Sequence, residues 1–279
     1  MEDDLLLARR AALAGAAVAL RYFADLGRLD RERKSDGSVV TEADRAVEAT
    51  IREVLAGARP DDAILGEEVG QTGQAARRWI VDPIDGTAQF VAGDDRWQVL
   101  VALEEAGEIV VGVAALPAQR TIWWARRGSG AHRAEIAGTE VTGVRPLRTS
   151  GPGPADPLPG GRLGVVPPDE HVYPAEREMI APLLAVTTPT PWRTHPALLV
   201  AGGELDLAVQ TRGQLWDFAA TSLIVTEAGG RYTGFDGRSR PAPGPALFAR
   251  TPALHDAALR RLGGGGHTGS TTGPATGSA

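Results

Sequence analysis

The chain has 279 residues, 43% of them hydrophobic, with 35 acidic against 29 basic side chains and a net charge of −6. That length supports one large domain or two packed halves around a sizeable core. The acidic balance, with no long basic run, argues against sequence-independent nucleic-acid binding, and the absence of cysteine excludes disulfides, thiolate metal sites and cysteine nucleophiles.

The apolar stretch LLLARRAALAGAAVAL begins after Glu2, Asp3 and Asp4 and is interrupted by Arg9 and Arg10. It reads as an amphipathic helix over 4–27, stopped by Gly27, rather than as a secretory signal. No apolar segment reaches the ~18 residues a membrane span needs, so a soluble, cytoplasmic protein with no membrane partner is expected. Next, in VVTEADRAVEATIREVLAG, Thr41 followed by Asp44 resembles a capping box that opens a helix running to Gly57. Residues 63–65 form a short strand that runs into Gly66-Glu67-Glu68. Trp79-Ile80-Val81 form another, which ends in Asp82-Pro83-Ile84-Asp85-Gly86-Thr87. From 97 to 125 three β-prone runs separated by short turns read as an antiparallel meander. The loop GPGPADPLPGG (151–161) marks a boundary between an N-terminal half, 1–150, and a C-terminal half, 151–262. Strands and helices then alternate: helices near 174–185 and 195–203, strand LDLAVQ, and a helix DFAATSLIVTEAGG that Asp217 opens. A strand near 246–249 and a helix near 252–262 follow, and the Gly/Ser/Thr-rich segment 263–279 reads as a disordered tail.

Acidic residues gather at the ends of these elements. Each has a plain alternative: Asp44 completes a cap, Glu67-Glu68 is a solvated turn, and Asp217 is an N-cap. Asp82 and Asp85 are harder to account for, because nearby carboxylates repel unless something positive lies between them. Hard cations such as Mg²⁺ take oxygen ligands. A DxxD turn offers two carboxylates and the Ile84 carbonyl, with the Gly86 and Thr87 amides beside them as an anion site.

The motifs GEE (66–68), WIVDPIDGT (79–87) and LWDFAATSLIVTEAGG (215–230), with KSDGSVVTEAD (34–44) upstream, are similar to those of the inositol monophosphatase superfamily, in order and spacing. The resemblance implies a layered αβαβα sandwich, of the inositol monophosphatase / fructose-1,6-bisphosphatase type. Its α+β N-terminal half would hold an antiparallel sheet and most of the metal ligands, and its C-terminal half would be α/β. It implies two to three Mg²⁺ ions bound by Glu67, Asp82, Asp85, Asp217 and the Ile84 carbonyl, with Asp44 by a weaker third site. Phosphate would lie on Gly86 and Thr87, and Lys34, the single lysine beside 28 arginines, would sit at the site's edge. The implied reaction is hydrolysis of a small-molecule phosphomonoester by metal-activated water, oriented by Glu67 and Thr87 with Asp44 behind them. Family members are commonly homodimers.

Asp85-Gly86-Thr87 also echoes the haloacid dehalogenase DxDGT signature, in which the first Asp is a nucleophile. The spacing here is DxxD, and no long run of parallel βα units follows it. A catalytically inactive relative that binds metal or phosphate is the alternative outside enzymology. Substrate choice is less constrained. The acidic residue that inositol phosphatases carry six positions before the Trp of the WD pair is Gln210 here, and their small-residue element reads TPWRTHPALLVAGG (190–203). Residues 110–132 resemble histidinol-phosphate phosphatases of the same superfamily. Arg193, His195, Gln210 and Arg212 are the candidate substrate contacts. A cationic rim would suit a second anionic group, so a 3′-nucleotide, a sugar phosphate and an aminocyclitol phosphate stay open beside histidinol phosphate and inositol monophosphate.

Overall fold

The computed structural model describes residues 2–28, 31–33, 39–138, 140–149 and 158–263. Lys34, most of the 151–161 boundary loop and the tail from 264 lie outside them.

The first helix, α1 (Asp4–Phe23), is capped by Asp3, whose carboxylate accepts the Leu5 N–H at 2.8 Å. Leu7, Ala8, Ala11, Ala12, Ala16 and Ala19 recur at helical spacing and form its buried face. It ends four residues before the expected Gly27 stop, and a 3-10 turn at Leu26–Arg28 follows. Phe23 there packs against Phe90 and Trp97, each ring centroid 5.3 Å away, which anchors the helix end in the core. A short antiparallel pair, β1 (Arg31–Arg33) and β2 (Val39–Thr41), leads into α2 (Glu42–Ala58). Gly15 of α1 has no room for a side chain: a Cβ there would meet Ile51 of α2 at 2.8 Å, so the two helices pack closely.

An eight-stranded sheet comes next, built from β3 (Ala63–Gly66), β4 (Gly70–Thr72), β5 (Arg77–Asp85), β6 (Gln98–Glu105), β7 (Glu108–Leu116), β8 (Thr121–Arg126), β9 (Ala131–Ala137) and β10 (Glu140–Leu147), with a short helix α3 (Thr87–Val91) after β5. Its order is β10-β9-β8-β7-β6-β5-β3-β4, and only β3 and β5 pair in parallel. Two features differ from expectation. The strand at Trp79 continues through the DPID segment instead of ending at Val81. It does so as a bulge: Asp82 faces Leu100 and Asp85 faces Gln98, so β5 spends one more residue than β6 there. Pro83, with no N–H to donate, falls inside that irregularity. The meander also extends beyond its expected three runs into β9 and β10.

The second sheet has the order β12-β11-β13-β15-β14, from β11 (Arg162–Val166), β12 (Thr188–Pro189), β13 (Leu207–Gln210), β14 (Arg231–Gly234) and β15 (Ala246–Ala249). The helices α4 (Pro174–Leu184), α5 (Pro196–Ala201), α6 (Leu215–Glu227) and α7 (Pro252–Gly263) accompany it. The result is a layered αβαβα sandwich. α1 and α2 cover one face of the large sheet, α5 and α6 lie between the sheets, and α4 and α7 cover the far side of the small one. Three hydrophobic clusters fill the interlayer spaces, and the middle one joins Ile80, Leu100 and Trp123 to Phe218, Ile224 and Phe248. Gly112 of β7 permits the closest approach of α6, since a Cβ would meet the Ala220 carbonyl oxygen at 2.8 Å. Among the described residues no helix is long and apolar enough to cross a membrane.

Candidate active site

The C-terminal ends of β3, β5, β11 and β13 and the N-termini of α5 and α6 border one cleft of about 630 Å³. Such a junction of strand ends and helix starts is where ligands bind in open α/β sheets.

Carboxylate oxygens of Asp82, Asp85 and Asp217 lie within 4.8 Å of one another. The bulge in β5 delivers the first two, and the first turn of α6 delivers the third. Asp217 is the third residue of that helix rather than its N-cap; Gln214 is the cap, and its backbone N–H donates to the Asp217 carboxylate. Asp82 is 1% exposed, and neither of its oxygens has a hydrogen-bond donor among the described residues. Its neighbours are the carboxylates of Glu67, Asp85 and Asp217. The Gln98 side-chain amide holds Asp85 by donating to its Oδ2 at 2.7 Å.

The electrostatics follow from this crowding. Burial, then repulsion from Glu67, Asp85 and Asp217, pushes the Asp82 carboxyl well above the usual range. Burial and then Asp85 push Asp217 up in the same direction, against the Gln214 N–H. Burial lifts Asp85 to about 6, with the Gln98 amide opposing. Acids so placed want a positive charge among them. The orphaned Asp82 oxygens, within 4.8 Å of the cleft-lining Asp85 and Asp217 carboxylates, form a set of hard donors that fits a divalent cation of the Mg²⁺ type.

Glu67 lines the cleft, carried there by β3, which runs parallel to β5; its own N–H donates to the Val81 carbonyl at 3.2 Å. Asp44 stands apart from the three clustered acids. It is 0% exposed and completes the capping box of α2, accepting from the Thr41 N–H at 2.8 Å and the Thr41 hydroxyl at 2.7 Å. Burial raises its pKa against those hydrogen bonds. Its other oxygen, Oδ1, lies 3.2 Å from the Thr87 hydroxyl, which also lies 3.0 Å from the Ile84 carbonyl. Asp44 therefore reaches the cleft through Thr87. Gly86 and Thr87 line the cleft. Gly86 must be glycine, since its φ is +93° and a Cβ would meet the Arg96 carbonyl at 2.9 Å.

Arg193, His195, Gln210 and Arg212 all line the same cleft. The expected cationic rim is not free charge, however. Arg193 pairs with Asp95, Arg212 with Glu176, and Arg96 with Asp94 and Glu170. His195 caps α5, its Nδ1 accepting the Ala197 N–H at 3.3 Å, which places the neutral ring's proton on Nε2. Burial lowers its pKa to about 4. His195 Nε2 and Gln210 Oε1, a donor and an acceptor, are both buried without a partner among the described residues. Lys34 lies outside the described residues.

Sequence reasoning missed several participants. Gln98 is a polar residue set between Trp97 and the apolar run VLVAL, and that position was its signal. Trp192, Trp216 and Tyr173 line the cleft without any local pattern that marks them.

A model of the inositol monophosphatase family matches residues 2–263. A histidinol-phosphatase of Mycobacterium tuberculosis is 41% identical over 272 residues, covering 94% of this chain and 99% of that one. An inositol-1-monophosphatase, SuhB, of the same organism is 35% identical over 251 residues, covering 84% and 82%. Among solved structures, the extragenic suppressor protein SuhB of Bartonella henselae superposes with a TM-score of 0.78 at 27% identity, over 93% of this chain and 98% of that one.

Proposed function

The chain belongs to the inositol monophosphatase family and is a phosphoric monoester hydrolase, and from that premise we propose that it cleaves a small-molecule phosphomonoester with Mg²⁺ held by Glu67, Asp82, Asp85, Asp217 and the Ile84 carbonyl. The observation that carries the metal assignment is the Asp82 carboxylate, buried with no donor among the described residues and beside carboxylates that repel it. The bound cations supply a water of lowered pKa and positive charge for the phosphoryl oxygens. The chain's own groups do the rest. Gln98 ties down one oxygen of Asp85 and leaves the other toward the cluster. Glu67, on the cleft wall, accepts the proton of the attacking water. The Thr87 hydroxyl, between the Ile84 carbonyl and an Asp44 carboxylate already fixed by Thr41, orients that water. The Gly86 and Thr87 amides receive the phosphate.

The cleft volume suits a small molecule rather than a polymer. Histidinol phosphate is our first substrate, because the 41%-identical relative that matches nearly end to end carries that activity in its name. The neutral His195 and Gln210 pair supports a second reading, a polyol or sugar phosphate whose hydroxyls both donate and accept. A phosphate-release assay with Mg²⁺ on histidinol phosphate, inositol 1-phosphate, 3′-phosphoadenosine 5′-phosphate and sugar phosphates tests both. Turnover that needs Mg²⁺ and disappears in Asp85→Asn is expected. Turnover unchanged by a chelator, or a covalent phosphate on Asp82, overturns the proposal.

A further inference from the structure

We infer that Glu48 is the positioning residue for Glu67, a role that rests on the metal reading above and extends it to a side chain outside the cleft. Glu48 lies one turn after Asp44 on α2 and is 0% exposed. A fully buried carboxylate needs a reason, because desolvation makes it costly unless every lone pair is used. Here the lone pairs are used on the loop between β3 and β4. The Glu68 N–H donates to Glu48 Oε2 at 2.7 Å, and the Val69 N–H donates to Oε1 at 3.1 Å. Gly66 leaves the space the carboxylate occupies, since a Cβ there would run into the Glu48 carboxyl group.

Val69 is 60% exposed, and Gly70 sits at a φ of +76°. The anchor continues through Arg52, whose Nε donates to Glu48 Oε1 at 2.7 Å. The same guanidinium reaches the Gly70 carbonyl at 2.5 Å, the Thr72 hydroxyl at 3.0 Å and the Ile64 carbonyl at 3.4 Å. Glu48 and Arg52 together therefore clamp the loop to α2, and Glu67 is the residue between the strand end and the clamped amides. α2 thus aligns two parts of the site from one buried face: Asp44 fixes Thr87, and Glu48 fixes the loop that carries Glu67.

The test uses Glu48→Gln, which keeps the volume but sets an NH₂ group against a backbone N–H or the guanidinium. The readouts are the Mg²⁺ concentration at half-maximal phosphatase activity, the Mg²⁺ midpoint of the rise in melting temperature, and amide exchange at residues 68 and 69 in the metal-free protein. Both Mg²⁺ midpoints should rise about 10- to 100-fold, as for other groups that orient metal ligands. Saturating Mg²⁺ should restore most of kcat, and exchange at 68 and 69 should quicken. Asp62→Asn is the control. Asp62 ties Arg77 and Trp79 together at the other end of β5, so its loss should lower the melting temperature without moving either midpoint. Arg52→Gln carries the same test, with a smaller shift in the same direction, should Glu48→Gln fail to fold. A wild-type midpoint that neither Glu48→Gln nor Arg52→Gln moves overturns the role of Glu48 alone. A wild-type protein with no Mg²⁺ midpoint overturns the metal reading and the Glu48 role with it.

Discussion

At the scale of single residues, the site trades stability for a concentration of negative charge that a proton or a cation relieves. Asp82 illustrates this, since burial and three neighbouring acids raise its pKa above the unfolded value. The folded, metal-free chain then holds that proton more tightly than the unfolded one, so stability is lost as pH rises above the carboxylate range. Asp82→Asn should accordingly melt about 2–8 °C higher than wild type in a chelator at pH 8, yet gain nothing on addition of Mg²⁺. Calorimetric melting of both proteins with and without Mg²⁺ checks it, and a variant that melts lower in chelator contradicts the electrostatic account. His195 works in the opposite sense. Burial holds it at about 4 against 6.5 for the free ring, so between those values the unfolded chain binds the extra proton. Folding stability should therefore fall on acidification through that window, by roughly 3 kcal/mol when complete. His195→Asn keeps an N-cap acceptor for the Ala197 N–H and removes the titration. Urea denaturation at pH 7 and pH 5 should show a smaller acid loss in the variant, with the carboxylates contributing equally to both proteins.

At the scale of elements, what was legible depended on whether the signal was local. Thr41 and Asp44 announce the start of α2 because a capping box is completed within one turn. Asp217 misled by two residues: its carboxylate does serve a helix start, but from the third position, reaching back to the Gln214 N–H. The strand at Trp79 looked as if it stopped at Val81, because a DPID segment carries turn chemistry. Pairing with β6 through a bulge keeps it extended. β10 left no alternating pattern to find, since most of its residues are exposed and its register slips between Thr142 and Arg145. Glu48 and Arg52 have the i,i+4 spacing of any helix-surface ion pair, so nothing local marks them; the tertiary position of the 66–70 loop is what buries Glu48 fully and Arg52 in part. α6 depends on the large sheet in a way that can be measured. A methyl group at Gly112 would meet Ala220 Cα at 3.0 Å and its carbonyl oxygen at 2.8 Å, pushing back the helix that carries Asp217. Gly112→Ala should cost about 1–3 kcal/mol and lower kcat/KM at limiting Mg²⁺. Gly57→Ala, inside α2 with nothing within 4 Å of the added Cβ, should stabilise by up to about 1 kcal/mol and leave kinetics alone. Chemical denaturation and steady-state kinetics on the two variants separate the effects.

At the scale of the whole molecule, motif order foretold that acids from separate segments would meet, and Arg193, His195, Gln210 and Arg212 were marked in the sequence, whereas the aromatic walls of the cleft were not. Tyr173, Trp192 and the Arg212–Glu176 pair become neighbours of the acids only because the two sheets sandwich α5 and α6. That architecture also sets what a bound cation would do to motion. The clustered acids come from the large sheet, through Asp82 and Asp85, and from the central helical layer, through Asp217. The layers themselves stay joined without a cation, since the buried apolar cluster around Phe218, Ile224, Trp123 and Phe248 spans them. Mutual repulsion of the acids should therefore loosen only the ends that bear them, as local opening rather than separation of layers. Adding Mg²⁺ should slow amide hydrogen exchange together in three places: the 67–70 loop, residues 85–88 at the end of β5, and residues 214–217 at the start of α6. β9 and β10, at the far edge of the large sheet, should exchange at the same rate with and without Mg²⁺. Protection confined to one of the three segments would mean that the cation is not shared between layers, and the convergence of acids would then have a different explanation.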